Sequence, residues 1–404
     1  MRLIEAILYL RVFFRAFVIM FVVFFVGYFM WEALKPTPGI TAVFTPDYAC
    51  GVLPELKFPK SGYNVNYKGA AVEVNAPSDM LKSLPPIAYV YRVRYKGETF
   101  PLRERLFRIV ETLGFNRDVY TNPQPYVLKW VLGNKYLTAD TRTGSFLFSL
   151  NKTALVSLPV GKIVFLQDAI DEASAVVNGL GLLEGYDSFE TQTQPVRYTL
   201  QGFVPVDSLA EASMVKVSLF GKKPLLVFDV RFFTPEYRKK VDISKINYRY
   251  FFEHREEIPE QYRKVYVVKT VGDDAKEGNP DVYVHSTVGK QFGEKVVRLK
   301  YYNWDIEDSP CGTYPLKNIN SVVSDIKAGN AYVAYIGLFG GDKYTNPVTL
   351  TDITISKVSL AYFVSSLWSE ALQPVFVVDA IGYDNARTRY DVVFYVDAIA
   401  SRGK

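Results

Sequence analysis

The sequence predicts an α+β chain: a single N-terminal transmembrane helix followed by tandem antiparallel sheets, each carrying a helix on one face. Three observations predict it. An uncharged apolar run fills Ala16–Trp31. Three times along the rest of the 404 residues, apolar positions at helical spacing give way to stretches that read as strands. Aromatic residues make up 15% of the chain, with 29 Tyr and 28 Phe, and suit half-buried strands better than helical bundles.

Val12, Phe13, Phe14 and a snorkelling Arg15 lengthen the apolar run to roughly 20 residues, enough to span a bilayer. Arg2, Arg11 and Arg15 precede it, offset only by Glu5, whereas Glu32 and Lys35 cancel after it. The positive-inside rule then places the N-terminus in the cytoplasm and the bulk outside a cytoplasmic membrane. A cleavable signal peptide is the rival reading, but the core is long and bulky and no small-x-small site follows it. Lys35-Pro36-Thr37-Pro38-Gly39 breaks the helix and opens a linker. The expected division is an anchor over 1–35, a linker over 36–60, and helix-on-sheet domains over 61–160, 161–294 and 295–404.

The first helix is read over Leu102 to Leu113, with Leu102, Leu106, Ile109 and Val110 on one face and Gly114 as its stop. Strands Tyr126–Leu132, Lys135–Ala139 and Ser145–Leu150 follow, the first two joined by Gly133-Asn134 as a tight turn. Strands are also read before this helix, at Tyr63–Asn75 and Ala88–Tyr95. The second helix spans about Leu166 to Gly179, with strands near Val196–Phe203, Ser213–Phe220 and Pro224–Phe233. A charged connector, Thr234–Glu294, carries a strand at Lys264–Val271, and Val296–Trp304 is another. The third helix runs from about Asn318 to Ala328. Strands near Ala331–Gly337, Thr349–Val364, Pro374–Ile381 and Thr388–Ala398 follow it.

The second and third segments share letters. Lys216-Val217-Ser218-Leu219 recurs as Lys357-Val358-Ser359-Leu360, and the run Pro224 to Asp229 resembles the run Pro374 to Asp379. Agreement in order with the helices favours a duplication.

An ordered pattern runs through Val296-Val-Arg-Leu-Lys-Tyr-Tyr-Asn, Thr313-Tyr-Pro-Leu-Lys, Ala328-Gly329 and Val333-Ala-Tyr. It continues through Ile355 to Phe363, Leu372-Gln-Pro-Val-Phe-Val-Val and Tyr390 to Ile399. It resembles the YycH/YycI family, single-pass proteins that regulate a cell-wall sensor histidine kinase from outside the membrane. Gly51-Val-Leu-Pro54 and Phe58-Pro59 also make the chain similar to anchored extracytoplasmic proteins of unassigned function in candidate-phylum bacteria. The resemblance implies tandem domains with helices on one face of antiparallel sheets, and regulation through contacts instead of catalysis.

Composition narrows function further. With 49% hydrophobic and 22% charged residues the chain is neither disordered nor multi-spanning. Its net charge of +5 is too dilute to argue for nucleic acid. Two His leave little for metal or acid–base chemistry: His254 and His285 have no partner at ligand or triad spacing. Asp273, Asp274, Glu277 and Asp281 lack EF-hand spacing and read as a solvated loop. No catalytic, cofactor-binding or metal-binding residue is assigned, and no cofactor is expected. Cys50 and Cys311, the only cysteines, are candidates for a disulfide closing a loop of about 260 residues, stabilising by roughly 4–5 kcal/mol in the chain-entropy account; two free buried thiols are the alternative.

The leading functional expectation is a non-enzymatic, membrane-anchored extracytoplasmic protein that binds other envelope or membrane proteins and regulates a sensor or envelope machinery. The alternatives are a self-associating structural component of the envelope or a surface appendage, and an envelope hydrolase using Asp229 and Asp379 at matching repeat positions.

Overall fold

The computed structural model describes residues 45–403 apart from 95–96, 162, 164, 201, 241–245, 264, 286–294 and 340–342, together with Met20, Phe21 and Phe25. The chain divides into two compact units, Met1–Val43 and Phe44–Lys404. In the first, the three described residues are helical with exposed side chains.

Among the described residues no helix is long and apolar enough to cross a membrane. The longest of them has 14 residues. At 1.5 Å per residue it reaches about 21 Å, short of a hydrocarbon core of about 30 Å. The anchor expected over Ala16–Trp31 lies outside the described residues but for those three positions. The single-pass placement, with the N-terminus inside and the bulk outside, is therefore corrected, because no described element supports it.

The second unit is mostly sheet. In chain order come β1 (Val65–Asn66), β2 (Ala71–Val74), β3 (Ile87–Arg92) and α1 (Phe100–Thr112). Next are β4 (Thr121–Gln124), β5 (Val127–Leu132), β6 (Lys135–Asp140), β7 (Phe146–Leu150) and α2 (Leu166–Gly179). Then follow β8 (Ser188–Thr199), β9 (Gly202–Pro205), β10 (Met214–Leu226), β11 (Tyr266–Val271), β12 (Asp281–Val284), β13 (Val296–Tyr301) and β14 (Gly312–Pro315). The chain closes with α3 (Ile319–Ala328), β15 (Tyr332–Leu338), β16 (Val348–Phe363), β17 (Ala371–Leu372), β18 (Pro374–Asp384) and β19 (Arg389–Asp397).

The three longest described helices form where the apolar spacing placed them, for local reasons; shorter ones stand at Ser78–Ser83, Lys152–Val156, Pro235–Lys240 and Tyr248–Glu253. Pro101 sits in the first turn of α1, where its fixed φ is compatible and its missing N–H is no loss. Asn318 caps α3 by accepting the Ser321 N–H, and left-handed Gly329 ends it. Leu106 and Val110 of α1 join Ala169, Ala173 and Val177 of α2 in one core with Trp130, Phe148, Val217 and Leu299 from the strands. The third helix packs instead against β2 and β19.

The sheets are not tandem, which corrects the predicted fold class. One path runs β15-β19-β18-β16-β11-β10-β12-β13-β7-β6-β5-β4, with β1 and β2 beside β16 and with β8 and β9 beside β10. It is mixed: β1, β2 and β11 lie parallel to β16. Strand β7 pairs with β13 from about 150 residues away, Phe148 opposite Leu299. The cause is burial. Four of the five residues of β7 are buried, so its free row of N–H and C=O groups would be orphaned in the interior without that partner. Likewise β3 takes β14 and β17 as neighbours in a separate three-stranded sheet.

The repeated letters do not occupy equivalent places. The Lys216 tetrad and Pro224 lie on one continuous strand, β10, because the chain runs on through Gly221 to Lys223 without turning. The Lys357 tetrad and Pro374 lie on two antiparallel neighbours, with Lys357 opposite Asp379.

Cys50 and Cys311 are bonded, their Cα atoms 5.2 Å apart across a separation of 261 residues. The bridge sits in an apolar cluster with Leu53, Val90, Tyr314 and Ile399. Around it, Asp47 accepts the Thr313 N–H at 2.7 Å, the Tyr314 hydroxyl donates to the Gly51 carbonyl at 2.6 Å, and the Leu53 N–H bonds the Arg402 carbonyl. Residues 47–54 are thereby fastened to β14 and to Arg402.

Candidate protein-binding edge

Strand β8 is polar, and nothing but pairing makes it a strand. Ser188 to Val196 run antiparallel along β10, from Ser188 opposite Lys222 to Val196 opposite Met214. Phe189 packs under the sheet against the α1/α2 core. Gly221, opposite Phe189, has to be glycine: a Cβ there would stand 2.4 Å from the Tyr186 ring.

The other edge of β8 is only partly filled. Strand β9 covers Val196–Thr199, and among the described residues no strand lies beside Ser188–Pro195. The Pro195 carbonyl takes the Val206 N–H on the β9 side. Backbone groups alternate in direction along a strand, so those of Phe189, Thr191 and Thr193 point the same way, away from β10, where no described strand meets them. Native sheets usually blunt such edges. Here the outer strand β4 carries Pro123, the outer strand β9 ends in Pro205, and β15 has its outer carbonyls taken by the Ala275 and Tyr344 N–H groups. Ser188 to Gln194 contain neither lysine nor proline.

On the solvent face of β8, Glu190 accepts from the Gln192 amide at 3.0 Å and pairs with Lys269 at 3.5 Å and Lys222 at 3.7 Å. Burial acts to raise its carboxyl, but Gln192 and the two lysines hold it below the ordinary value.

Beside the edge lies a buried ionic joint. Lys216, opposite Gln194 in register, approaches the Asp281 carboxylate at 3.5 Å. Asp281 also accepts from the Ser218 hydroxyl at 2.5 Å and the Gly278 N–H at 2.8 Å. Burial pushes its carboxyl up, against the pull of Lys216. Glu277 holds Lys300 at 2.7 Å; burial would raise it, but Lys300 and Lys216 bring it down to about 2. Asp274 accepts from Lys343 at 2.7 Å and from the Tyr63 hydroxyl at 2.8 Å, and Asp273 from the Ser365 hydroxyl at 2.9 Å.

The four acids read as a solvated loop are thus committed to lysines, hydroxyls and amides. Among the described residues no group of three His, Cys, Asp or Glu is arranged to hold a metal ion. His254 stacks on Tyr250 at 4.2 Å, and His285 meets the Ser213 carbonyl at 2.7 Å. The two aspartates of the hydrolase reading stand on different elements with different partners among the described residues. Asp229 is fully buried and held by Arg231 and the Tyr266 hydroxyl, while Asp379 stands on β18 opposite Lys357. Sequence reasoning missed Ser188–Pro195, because Glu-Thr-Gln-Thr-Gln offers no apolar alternation. The available signal was Thr191 and Thr193 at period two, β-branched residues in a polar run.

No protein-family model matches the chain, and no curated protein matches it. Among solved structures it is similar to the crystal structure of an uncharacterized protein from Eubacterium rectale, at 13% identity over 84% of this chain and 88% of that one, with a TM-score of 0.34.

Proposed function

We propose that the chain is a non-catalytic protein-binding scaffold that accepts an extended segment along the outer edge of β8. The observation that carries this reading is the row of outward backbone groups at Phe189, Thr191 and Thr193, which no strand among the described residues pairs, on a strand whose inner edge is fully laddered. Strand addition supplies affinity through main-chain bonds and specificity through alternate side chains. The interlocked sheet supports the role, because an edge can template a partner only if its own strand stays put.

Crosslinking and capture from native extracts compares the wild-type chain with Thr191→Pro, which deletes an outward N–H and leaves the ladder to β10 intact. The reading expects captured proteins to be lost with the proline. Equal capture by both chains rejects it.

A further inference from the structure

The open edge of β8 is complementary to itself. Its outward residues are Phe189, Thr191 and Thr193, spaced evenly about Thr191, and its solvent-face residues Glu190 and Gln192 are one acceptor and one donor at adjacent places. We infer that the strand taken by this edge is the same edge of a second copy of the chain, running antiparallel about a two-fold axis through Thr191. The inference rests on the edge reading above and names its partner.

Three registers of an antiparallel pair bring at least two of the outward residues of each copy opposite one another, and the side chains choose among them. With the axis at Glu190, the two Glu190 carboxylates face each other, and like charges directly opposite are destabilising. With the axis at Gln192, Phe189 falls opposite Pro195, which has no N–H and whose carbonyl already serves Val206. With the axis at Thr191, Phe189 pairs with the second copy's Thr193, Thr191 with its twin and Thr193 with Phe189, each exchanging both backbone bonds. On the solvent face Glu190 then stands opposite the second copy's Gln192, and Gln192 opposite its Glu190. The Gln192 amide already donates to Glu190 within one chain, so the cross-strand bond repeats a contact these groups make. Thr191 facing Thr191 is itself a favourable cross-strand pair. A C2 contact needs each patch to serve both roles, and this short strand does.

The register gives a direct test. Glu190 and the second copy's Gln192 form a non-hydrogen-bonded pair, with Cα atoms about 4.5 Å apart. That distance lies within the span a disulfide bridges. Full-length Glu190→Cys and Gln192→Cys chains, each labelled with a distinct tag, are mixed under mild oxidation. The expected result is a crosslinked dimer carrying both tags, with little dimer in either chain alone. Sedimentation of wild type, Gln192→Glu and Gln192→Lys chains supplies the second arm. Glutamate opposite Glu190 is expected to weaken dimerisation by about tenfold, and lysine there to preserve or strengthen it. A chain that sediments as a monomer and gives no mixed crosslink overturns the self-pairing. If Thr191→Pro still abolishes capture of other proteins in that case, the binding edge stands and only its partner is wrong. If neither dimer nor capture responds to the edge, both readings fall.

Discussion

Strands β10 and β16 carry the same Lys-Val-Ser-Leu letters and put them to different uses. In β10 the lysine side chain is 11% exposed and lies 3.5 Å from a buried aspartate, and Ser218 bonds the same carboxylate. In β16, Lys357 is exposed and faces the half-buried Asp379 across the β18 pairing. The aspartates that end the second repeated run diverge in the same direction. Asp229 is fully buried beneath a partly exposed Arg231, whereas Asp379 keeps contact with water. Identical letters therefore fix the pleat, since Val217 and Val358 are both buried, and leave the role of the charge to whatever strand arrives alongside.

The largest expected effect breaks the comparison at the aspartates. Replacing Asp229 with Asn takes the buried carboxylate away from the Arg231 guanidinium and the Tyr266 hydroxyl that it accepts from, and should cost about 2–3 kcal/mol in urea unfolding. Asp379→Asn should stay within about 1 kcal/mol, because burial already pushes that carboxyl up and its neutral form is tolerated. Equal losses at the two sites would erase the distinction.

At the lysines a smaller split is expected. Lys216→Met removes the near cation from buried Asp281 and should cost about 1–3 kcal/mol. Lys357→Met should move stability by less than about 0.5 kcal/mol.

Acid titration sharpens the contrast by sign. Glu277 is held down to about 2, so its contribution is present above the unfolded carboxyl value of about 4.3 and is lost as pH falls towards about 2. Asp379 is raised, so its ionised form weighs against folding, and that penalty is relieved as pH falls through its folded value. Glu277→Gln should therefore flatten the acid limb of the stability curve, and Asp379→Asn should steepen it slightly. The smallest effect expected is from salt: the half-exposed Glu190–Lys222 and Glu190–Lys269 pairs should lose a few tenths of a kcal/mol at high ionic strength.

The sequence carried the local part of this architecture. Helices α1, α2 and α3 stand within two residues of where the apolar spacing put them, and Gly133-Asn134 joins β5 to β6 as read. Long-range pairing was not legible. Nothing in Phe146–Leu150 names Val296–Tyr301 as its neighbour, because many Val- and Leu-rich strands would satisfy the same buried row of amides. The shared letters misled for a related reason: the Pro224 run was separated from the Lys216 tetrad although no turn residue parts them strongly enough to end the strand. Cys50 and Cys311 were legible as a pair because no third cysteine competes. The open edge was invisible, since a polar strand leaves no periodic trace when its pairing, and not its apolar face, makes it a strand.

Amide hydrogen exchange along β8, read residue by residue in dilute protein, bears most directly on the open edge. Fast exchange is expected at Phe189, Thr191 and Thr193 and slow exchange at Glu190, Gln192 and Gln194, whose N–H groups face β10. Uniform protection along Ser188–Gln194 at high dilution would show that something within the same chain already fills that edge, and the account of a free binding strand would be wrong.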